Sequence, residues 1–297
     1  EWMRERWNHP CVVIWDASNE STTTETAPAI RQVRGLDLSN RPWDNGFEYP
    51  EEPGDSFEVH PYHFMDSNFK LRQLAEAPLV PQGNPDPNEE KHAVIVNEYG
   101  WLWLNRDGSP TTLTTDLYLK LLGPDSSAEQ RQELYGMYLA AETEFWRVHR
   151  KVAVVMHFTM LGYSRPNGQT SDHWLDIENQ VWEPNFYRYV RDSFAPVGLC
   201  IKFWAETLPT GKTTPIPVTL MNDLEKEWSG PVTLSLKQGD TVITQAQQDA
   251  SIAPHGLCDL SFDLVAPTTP GAYILEAALQ DANYQPVCSV RKVECIA

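Results

Sequence analysis

Two glutamates each follow a short apolar run, and this placement suits acid–base or nucleophilic chemistry. Glu20 lies just beyond the run at residues 11–15, and Glu98 follows the β-branched run at residues 94–96 after one asparagine. A short apolar run bounded by turn signals is typical of a buried parallel strand. In a barrel of parallel strands, polar residues at the carboxyl ends face the active-site mouth. Two strand-end glutamates could therefore supply the acid/base and the nucleophile of retaining glycoside hydrolysis.

The two stretches together resemble a known enzyme family, glycoside hydrolase family two, in the clan of retaining (β/α)8-barrel glycosidases. Residues 9–20 resemble the family signature Arg-x-x-x-His-Pro-(apolar)-Trp-x-x-x-Asn-Glu, with Arg4 or Arg6 near the place of the arginine. Glu98, followed by Tyr99 and a glycine, is similar to the family's nucleophile strand. The combination is more specific than either stretch alone, and the resemblance covers nearly the whole chain.

The resemblance implies a role for each residue of the two stretches. Glu98 would be the ionised nucleophile that forms a glycosyl-enzyme ester. Glu20 would be the acid/base, with a pKa raised by burial or by the charge of its partner. Asn19 would hydrogen-bond the sugar 2-hydroxyl, a contact that tightens in the transition state. Without the resemblance, Glu20 could instead cap the following helix, and Glu98 could be a salt-bridged acid at the edge of the core.

The remaining candidates for the sugar site lie at later strand ends and in the loops after them. Tyr62 resembles the sixth-strand tyrosine that hydrogen-bonds the nucleophile in this clan, although a core tyrosine would show the same pattern. Because side chains alternate along a strand, His60, Tyr62 and His63 cannot all face inward without a bulge or a strand end. The other predicted substrate-binding residues are Trp43, Asp44, His60, Tyr99, Trp101, His157 and Arg165. No third ligand has suitable spacing, so no metal site is predicted.

Charge and composition exclude two classes of function. The net charge of −18 leaves no basic patch of the kind that nucleic-acid binding requires. The sequence also contains no apolar run long enough to span a membrane. The 11 tryptophans suit a carbohydrate cleft, where indole faces stack on sugars, and equally suit a large core. A carbohydrate substrate is therefore the expected partner, and no cofactor is predicted.

The cysteines say little about the compartment. The five of them show no Cys-x-x-Cys spacing, which argues against a zinc site. Free buried thiols are the favoured interpretation, although Cys258, Cys288 and Cys295 share the tail and could pair in an exported protein. The location is left open, with secretion and the periplasm among the alternatives.

Five segments with strand character precede residue 158, and the resemblance assigns them to barrel strands four to eight. They are residues 11–15, 42–45, 57–62, 94–97 and 152–157. This numbering follows because the clan carries its acid/base on strand four and its nucleophile on strand seven. Strands one to three, and the β-domains that usually precede the barrel, would lie outside this chain. Helices are predicted over residues 21–33, 66–75 and 128–151, the last of them amphipathic.

From residue 215 the pattern changes to short alternating strands separated by turns. The predicted strands cover residues 216–222, 232–237, 240–246, 257–264, 271–280 and 286–293. Their spacing is that of a β-sandwich, and residues 222–230 resemble the immunoglobulin-like domain that follows the barrel in this family. The expected fold class is therefore α/β plus β. A partial (β/α)8 TIM barrel (strands 4–8) with an extension would cover residues 1–200, and an immunoglobulin-like β-sandwich would cover residues 201–297.

The resemblance implies a retaining β-glycosidase that hydrolyses terminal β-glycosides by double displacement, similar to a β-galactosidase or a β-glucuronidase. Two alternatives are open at this point. One is a non-catalytic glycan-binding or scaffold remnant, and the other is an endo-β-glucanase or mannanase of the same clan. The tail favours family two over the second of these. Met156, His157 and Phe158 lack the tryptophan that the family commonly places at the end of strand eight, so the sugar is undetermined.

The start of the sequence predicts a carboxyl-terminal fragment. Residues 1–3 lie inside what reads as a helix leading to the first strand. Five barrel strands would leave two apolar open edges, the composition most prone to edge pairing. We therefore expect the chain alone to be inactive, and to need the missing amino-terminal half of the barrel, in cis or as a partner chain.

Overall fold

The computed structural model describes residues 1–79, 92–162, 170–281, 283 and 285–297. The chain folds into two compact units. Unit 1 comprises Glu1–Pro61, Pro78–Tyr99 and Arg150–Phe158, and unit 2 comprises Tyr62–Ala77, Gly100–His149 and Thr159–Ala297. Neither unit has a boundary at residue 200, where the sequence predicted the division between two domains.

Unit 1 is built on five short parallel strands. They are β1 (Trp15–Asp16), β2 (Trp43–Asp44), β3 (Ser56–Val59), β4 (Ala93–Val96) and β5 (Val154–Val155). Strands β1 and β2 form one parallel pair, and β3, β4 and β5 form a parallel sheet in that order. Helices α1 (Trp2–Arg6) and α2 (Thr26–Val33) flank β1, and a 3-10 turn (Arg34–Leu36) follows α2. Parallel neighbours need such crossover segments, because a two-residue hairpin cannot join them.

Each predicted barrel segment contains or overlaps one of these strands, but the strands are shorter than the apolar runs. Residues 11–14 were expected in the first strand and lie outside it. Val13 is 66% exposed, and the Val12 N–H donates to the His9 carbonyl in a turn (3.2 Å). Pairing begins only at Trp15, opposite Trp43 of β2. The apolar composition of residues 11–14 led to the prediction, but strand pairing requires a neighbouring strand whose backbone groups can accept and donate hydrogen bonds. The helix predicted from residue 21 likewise begins only at Thr26.

A tryptophan-centred cluster forms the core beside β1 and β2. Met3, Trp15, Ile30 and Trp43 are all buried in it. The Trp15 Nε1–H donates to the Asp37 carboxylate at 2.8 Å.

The buried Asp37 ties the start of β2 to this core. Arg41 donates to its carboxylate at 2.7 Å, and backbone N–H groups of Ser39 and Arg41 donate to it as well. Burial acts to raise the pKa of Asp37, but the bonds from Trp15 and these donors lower it to about 2. The carboxylate therefore stays charged and paired, and it anchors the segment that leads into β2.

Unit 2 begins with helical layers. Its helices are α3 (Thr115–Leu122), α4 (Ala128–His149) and α5 (Arg191–Ser193), with 3-10 turns at His63–Met65 and Leu71–Glu76 and a π-helical turn at Phe186–Val190. Strands β6 (Trp174–Asp176) and β7 (Val181–Trp182) form a hairpin. The predicted helix over residues 128–151 is confirmed to within two residues, whereas only the second half of residues 66–75 is helical. Within the described ranges, none of the helices combines the length and apolar character needed to cross a bilayer.

Helix α4 carries buried charges as well as apolar side chains. Glu144 accepts hydrogen bonds from the Arg291 guanidinium and the Ser289 hydroxyl, each at 2.7 Å. Glu142 lies 3.1 Å from the His63 Nδ1. Each buried carboxylate of α4 therefore has a partner, which burial of a charge requires. One of these ties joins the helix to the last strand of the chain.

The remainder of unit 2 is a β-sandwich of two sheets. Its strands are β8 (Val197–Ile201), β9 (Thr207–Pro209), β10 (Thr213–Asn222), β11 (Trp228–Gln238), β12 (Thr241–Ile252), β13 (Leu257–Val265), β14 (Gly271–Gln280) and β15 (Pro286–Ile296). One sheet has the order β13-β10-β8, and the other has the order β12-β11-β14-β15-β9. Leu220, Phe262, Leu234 and Leu275 meet in the apolar core between the sheets.

All six strands predicted in the tail are present, and the expected sequence of parallel strands followed by a β-sandwich is confirmed. The prediction omitted β8 and β9. Strand β8 pairs with β10, with Val197 opposite Asn222. The sandwich therefore begins before residue 201, and the predicted boundary falls inside one of its strands.

Candidate active site

Glu20 lies in a tight loop after β1 that packs against the segment after β2. Its backbone is left-handed (φ 49°), a conformation that a residue other than glycine rarely adopts. The Phe47 N–H donates to the Ser21 carbonyl at 3.0 Å. Gly46, itself left-handed, closes the contact, because a Cβ at that position would lie 2.7 Å from the Ser18 Oγ. The ends of β1 and β2 therefore fix the position of the Glu20 backbone.

His60, just after β3, lies between three carboxylates. Its Nδ1 is 2.9 Å from Glu20 Oε1 and 3.4 Å from Glu98 Oε2. Its Nε2 is 3.6 Å from Glu58 Oε2. Burial acts to lower the pKa of His60, but the hydrogen bonds to Glu58 and Glu20 and the charge of Glu98 raise it to about 9. The imidazole is therefore cationic at neutral pH, and it partly neutralises the acidic groups around it.

Glu58 connects the two candidate catalytic segments. Its side chain is fully buried, and its Oε1 accepts a hydrogen bond from the Glu20 backbone N–H at 3.3 Å. Its other oxygen accepts a hydrogen bond from the Asn97 side-chain amide. Burial acts to raise the pKa of Glu58, but the bonds from His60 and Asn97 lower it overall. The Glu58 carboxylate therefore holds both the backbone of Glu20 and the side chain of Asn97, the residue before Glu98.

The carboxylates of Glu20 and Glu98 lie close together. One oxygen of each, and one nitrogen of His60, lie within 4.8 Å of one another. The two carboxyl groups are about 5–5.5 Å apart in retaining glycosidases and about 6.5–9.5 Å apart in inverting ones. The distance between their nearest oxygens is the quantity that bears on this distinction. The two glutamates differ in environment, since the side chain of Glu20 is 50% exposed and that of Glu98 is 15% exposed.

A second acidic group lies beside this one. One carboxylate oxygen from each of Asp16, Asp44 and Glu58 lies within 4.8 Å of the others. Asp44 is 1% exposed. Burial, and then the negative charges of Glu58 and Asp16, raise the pKa of Asp44 to about 8. Burial and the charge of Glu58 also raise the pKa of Asp16.

Comparison with known proteins finds only distant likenesses. No protein-family model matches the chain, and no curated protein matches it. Among solved structures, a Bacteroides uniformis β-glucuronidase aligns with 99% of this chain and 35% of its own at 13% identity, with a TM-score of 0.44. Bacteroides uniformis β-glucuronidase 2, covalently bound to cyclophellitol-6-carboxylate aziridine, gives 12% identity and the same TM-score over 99% of this chain and 36% of its own.

A third similar structure is a Paenibacillus cycloisomaltooligosaccharide glucanotransferase. It aligns with 31% of this chain and 13% of its own at 18% identity, with a TM-score of 0.26. The chain thus spans about a third of the length of the two β-glucuronidases and a smaller part of the glucanotransferase. These likenesses are too distant to identify a family or an activity, so the chemistry of the site must be argued from its own residues.

The structure brings Glu20, His60 and Glu98 together in unit 1. Asn19 lies on the same loop as Glu20 and is exposed. Trp43 is placed elsewhere: it is buried in the core, with its ring centroid 6.1 Å from that of Trp15. Trp43 and Asp44 are adjacent in β2, and alternation sends their side chains to opposite faces, which separates the tryptophan from the acidic side.

Two further predicted residues of unit 1 are packed against each other. Tyr99 is fully buried, and its ring meets the His157 ring edge-on at 6.5 Å between centroids. Burial lowers the pKa of His157 to about 4. The imidazole is therefore neutral at physiological pH, in contrast to that of His60.

Tyr62 and Trp101 belong to unit 2. The Tyr62 ring lies edge-on to those of Trp101 and Trp103, with centroids 5.1 and 5.8 Å away. Trp101 is left-handed (φ 68°), a strained backbone for an aromatic residue. Arg165, the remaining predicted residue, lies outside the described residues.

Sequence reasoning missed Glu58, Asn97 and Asp16 as members of the site. Glu58 had a detectable signal, because a carboxylate in the middle of the apolar strand Ser56–Val59 must have a partner once it is buried. Asn97 precedes Glu98 as Asn19 precedes Glu20, so the Asn-Glu dipeptide occurs at both strand ends. Asp16 had no distinguishing signal, since an acid at a strand end is common.

Proposed function

We propose that this chain carries the catalytic carboxylates of a retaining β-glycosidase that hydrolyses terminal β-glycosides. The observation that carries the proposal is the close approach of Glu20 and Glu98, whose carboxylate oxygens lie within 4.8 Å of each other. In the same proposal, β1 to β5 correspond to strands four to eight of a (β/α)8 barrel. The parallel pair β1-β2 and the parallel sheet β3-β4-β5, each in chain order and with the two glutamates after the first and the fourth strand, support that assignment.

Glu98 is the nucleophile in this scheme. It attacks the anomeric carbon and forms a glycosyl-enzyme ester as the bond to the leaving oxygen breaks. The cationic His60, 3.4 Å from the Glu98 carboxylate, favours the ionised form that attack requires. The same cation stabilises the negative charge that returns to the Glu98 carboxylate when the ester is hydrolysed.

Glu20 is the acid/base in this scheme. It protonates the leaving oxygen in the first step, and its carboxylate then removes a proton from the water that attacks the ester. Its exposed side chain suits this exchange, because leaving group and water must both reach it. Asn19, next to it on the loop, is the proposed donor to the sugar 2-hydroxyl.

One contact favours a second candidate function, glycan binding without turnover. His60 Nδ1 is 2.9 Å from Glu20 Oε1, so this contact already occupies one oxygen of the proposed general acid. A general acid must carry a proton when the substrate binds. If the pairing persists in the complex, Glu20 cannot protonate the leaving oxygen, and the carboxylates would serve only to bind sugar hydroxyls.

A mechanism-based probe separates the two functions. The chain is incubated with 2-deoxy-2-fluoro β-galactoside, β-glucoside and β-glucuronide probes, alone and with a polypeptide carrying the amino-terminal half of a family-two barrel. Peptide mass spectrometry then locates the ester. We expect labelling on Glu98, its loss in Glu98→Gln, and its retention in Glu76→Gln, which changes an exposed glutamate.

Label on any other residue would overturn the assignment of Glu98. Failure of every probe under both conditions would overturn the catalytic proposal. Glycan binding that persists in Glu20→Gln would then identify the second candidate as the function.

A further inference from the structure

We propose that Asp16, Asp44 and Glu58 form a binding site for a hard divalent cation, of which Ca²⁺ fits best. The three carboxylates lie on three strands that succeed one another in the chain, β1 and β2 of the parallel pair and β3 of the neighbouring sheet. Asp16 and Asp44 are register partners in the β1–β2 pair, and partners on adjacent strands project to the same face of a sheet. The Ser56 hydroxyl donates to the Trp43 carbonyl at 3.3 Å and links β2 to β3.

Asp44 is the observation that distinguishes this site from an ordinary acidic patch. The residue is 1% exposed. Both of its carboxylate oxygens are buried, and neither has a hydrogen-bond donor within the part of the chain that the structure describes. A buried carboxylate without donors is costly, because nothing replaces its lost hydration. A cation coordinated by these oxygens supplies the missing interaction.

The cluster also lacks basic side chains. Among the described residues, no lysine or arginine forms an ion pair with Asp16, Asp44 or Glu58. Positive charge reaches the cluster from His60, whose Nε2 is 3.6 Å from Glu58, and that histidine is shared with Glu20 and Glu98. By contrast, buried Asp37 and Asp55 of the same unit each pair with an arginine. When all three are ionised, as on binding a cation, the carboxylates carry more negative charge than the described side chains around them balance.

The ligand set and the spacing select the class of cation. All three donors are carboxylate oxygens, which favour Ca²⁺ and Mg²⁺ over zinc or copper. Two oxygens bound to one Ca²⁺ at about 2.4 Å lie at most about 4.8 Å apart, and for Mg²⁺ the limit is about 4.2 Å. The three oxygens lie within 4.8 Å of one another. This spacing is compatible with one shared Ca²⁺ after small side-chain adjustments, and water would complete its coordination.

Isothermal titration calorimetry tests the site directly. The chain is treated with EDTA, dialysed and titrated with Ca²⁺, Mg²⁺ and Mn²⁺. We expect one Ca²⁺ to bind per chain, with weaker binding of Mg²⁺. Asp44→Asn and Asp16→Asn should each weaken Ca²⁺ binding at least tenfold. Asp125→Asn, which changes an exposed aspartate outside the cluster, should bind Ca²⁺ as the unaltered chain does.

A thermal melt provides a second measurement that does not depend on activity. Ca²⁺ should raise the melting temperature of the unaltered chain and of Asp125→Asn, because a ligand that binds only the folded state stabilises it. Asp44→Asn should show no such rise. Absence of binding by all three metals would overturn the proposal and leave Asp44 and Glu58 sharing a proton. Equal Ca²⁺ binding in all the variants would also overturn it, since the ion would then occupy the general acidic surface.

Discussion

The parallel strands of unit 1 and the sandwich of unit 2 are stabilised in different ways. Unit 1 has short strands and buried carboxylates that bind backbone groups, whereas the sandwich has long hydrogen-bonded strands. Strands β1 to β5 are two to four residues long, whereas β10 to β15 are nine to twelve residues long. In unit 1, side chains such as Asp37 and Glu58 therefore accept hydrogen bonds from backbone N–H groups that are not paired between strands. In the sandwich, long ladders and an apolar core determine the architecture.

The difference teaches where chemistry can be located. Among the described residues, the core between the two sheets of the sandwich contains no carboxylate. The short parallel strands bring Asp16, Asp44, Glu58, Glu20 and Glu98 together at the cost of mutual repulsion. Asp44 and Glu58 are buried while Asp16 and Glu20 are exposed, and clusters of like charge with perturbed pKa values are common at functional sites. Substitutions in the two regions should therefore affect activity and stability in opposite ways.

The largest expected effect is on activity and belongs to unit 1. With the amino-terminal half of a family-two barrel supplied, Glu98→Gln should reduce turnover of aryl β-glycosides by on the order of 10⁴-fold or more, because the covalent step is lost. Glu20→Gln should reduce it by about 10²–10⁴-fold, with less loss for leaving groups that need no protonation, and added azide should restore activity. Initial rates on substrates of graded leaving-group acidity check both. Equal loss across that series would contradict the role of Glu20.

A sandwich substitution should give the reverse result. Phe262 is fully buried, and Phe262→Ala should lower the free energy of unfolding of unit 2 by about 3–5 kcal/mol through the cavity it creates. Urea denaturation followed by circular dichroism measures this change. Phe262→Leu serves as the control, because it keeps most of the volume and should cost less. A change below about 1 kcal/mol for the alanine variant would contradict the assignment of this core.

Asp37 offers a stability test inside unit 1. Asp37→Ala removes the acceptor for Trp15 and Arg41 and should cost about 3 kcal/mol, because breaking a buried pair leaves the other charge uncompensated. Since folding lowers the pKa of Asp37 to about 2, its contribution is present above the unfolded value near 3.8 and is lost as the pH falls toward 2. Urea midpoints between pH 7 and pH 2 should show this loss in the unaltered chain. Asp37→Ala should lack it, and parallel curves would contradict the pairing.

The smallest expected effect is the pH dependence caused by His157. Its folded pKa of about 4 lies below the ordinary value of 6.5, so the unfolded chain binds a proton first as the pH falls. Stability should therefore decrease below pH 6.5, by about 1.5 kcal/mol by pH 5. His157→Phe should remove that part of the decrease, as measured by urea unfolding at both pH values. An unchanged slope in this variant would show that the ring is accessible to protons in the folded state.

The sandwich strands and α4 could be predicted from the sequence because each has a strong internal period. Residues 216–222 and 271–280 alternate between faces, and Ala128–His149 has helical spacing. The sequence located the parallel strands but did not predict where each begins and ends. Residues 11–14 are apolar, but among the described residues no neighbouring strand lies beside them to pair with. Strand β8 was missed because its run, Val-Gly-Leu-Cys-Ile, is buried on both faces and lacks alternation.

The motifs selected two glutamates that the structure places close together, and most of their neighbours in the cluster were not selected. The Asn-Glu and Glu-Tyr-Gly stretches indicated Glu20 and Glu98. His60 was placed only among secondary candidates, although it contacts both glutamates. The cluster of Asp16, Asp44 and Glu58 depends on the register of three strands, which no single stretch encodes. Trp43 was selected because tryptophan often binds sugars, but strand alternation sends it into the core.

The buried tie between Glu144 of α4 and Arg291 of β15 has a consequence for how such a chain can be recombined. A β-sandwich at the end of a chain is commonly treated as an interchangeable module. Here, exchanging residues 201–297 for another sandwich would leave Glu144 buried without Arg291 and Ser289, and would also divide the strand Val197–Ile201 from β10. The smallest segment that can be transferred intact therefore includes α4. Replacement of the sandwich by that of another protein would require α4 and β15 to be replaced together.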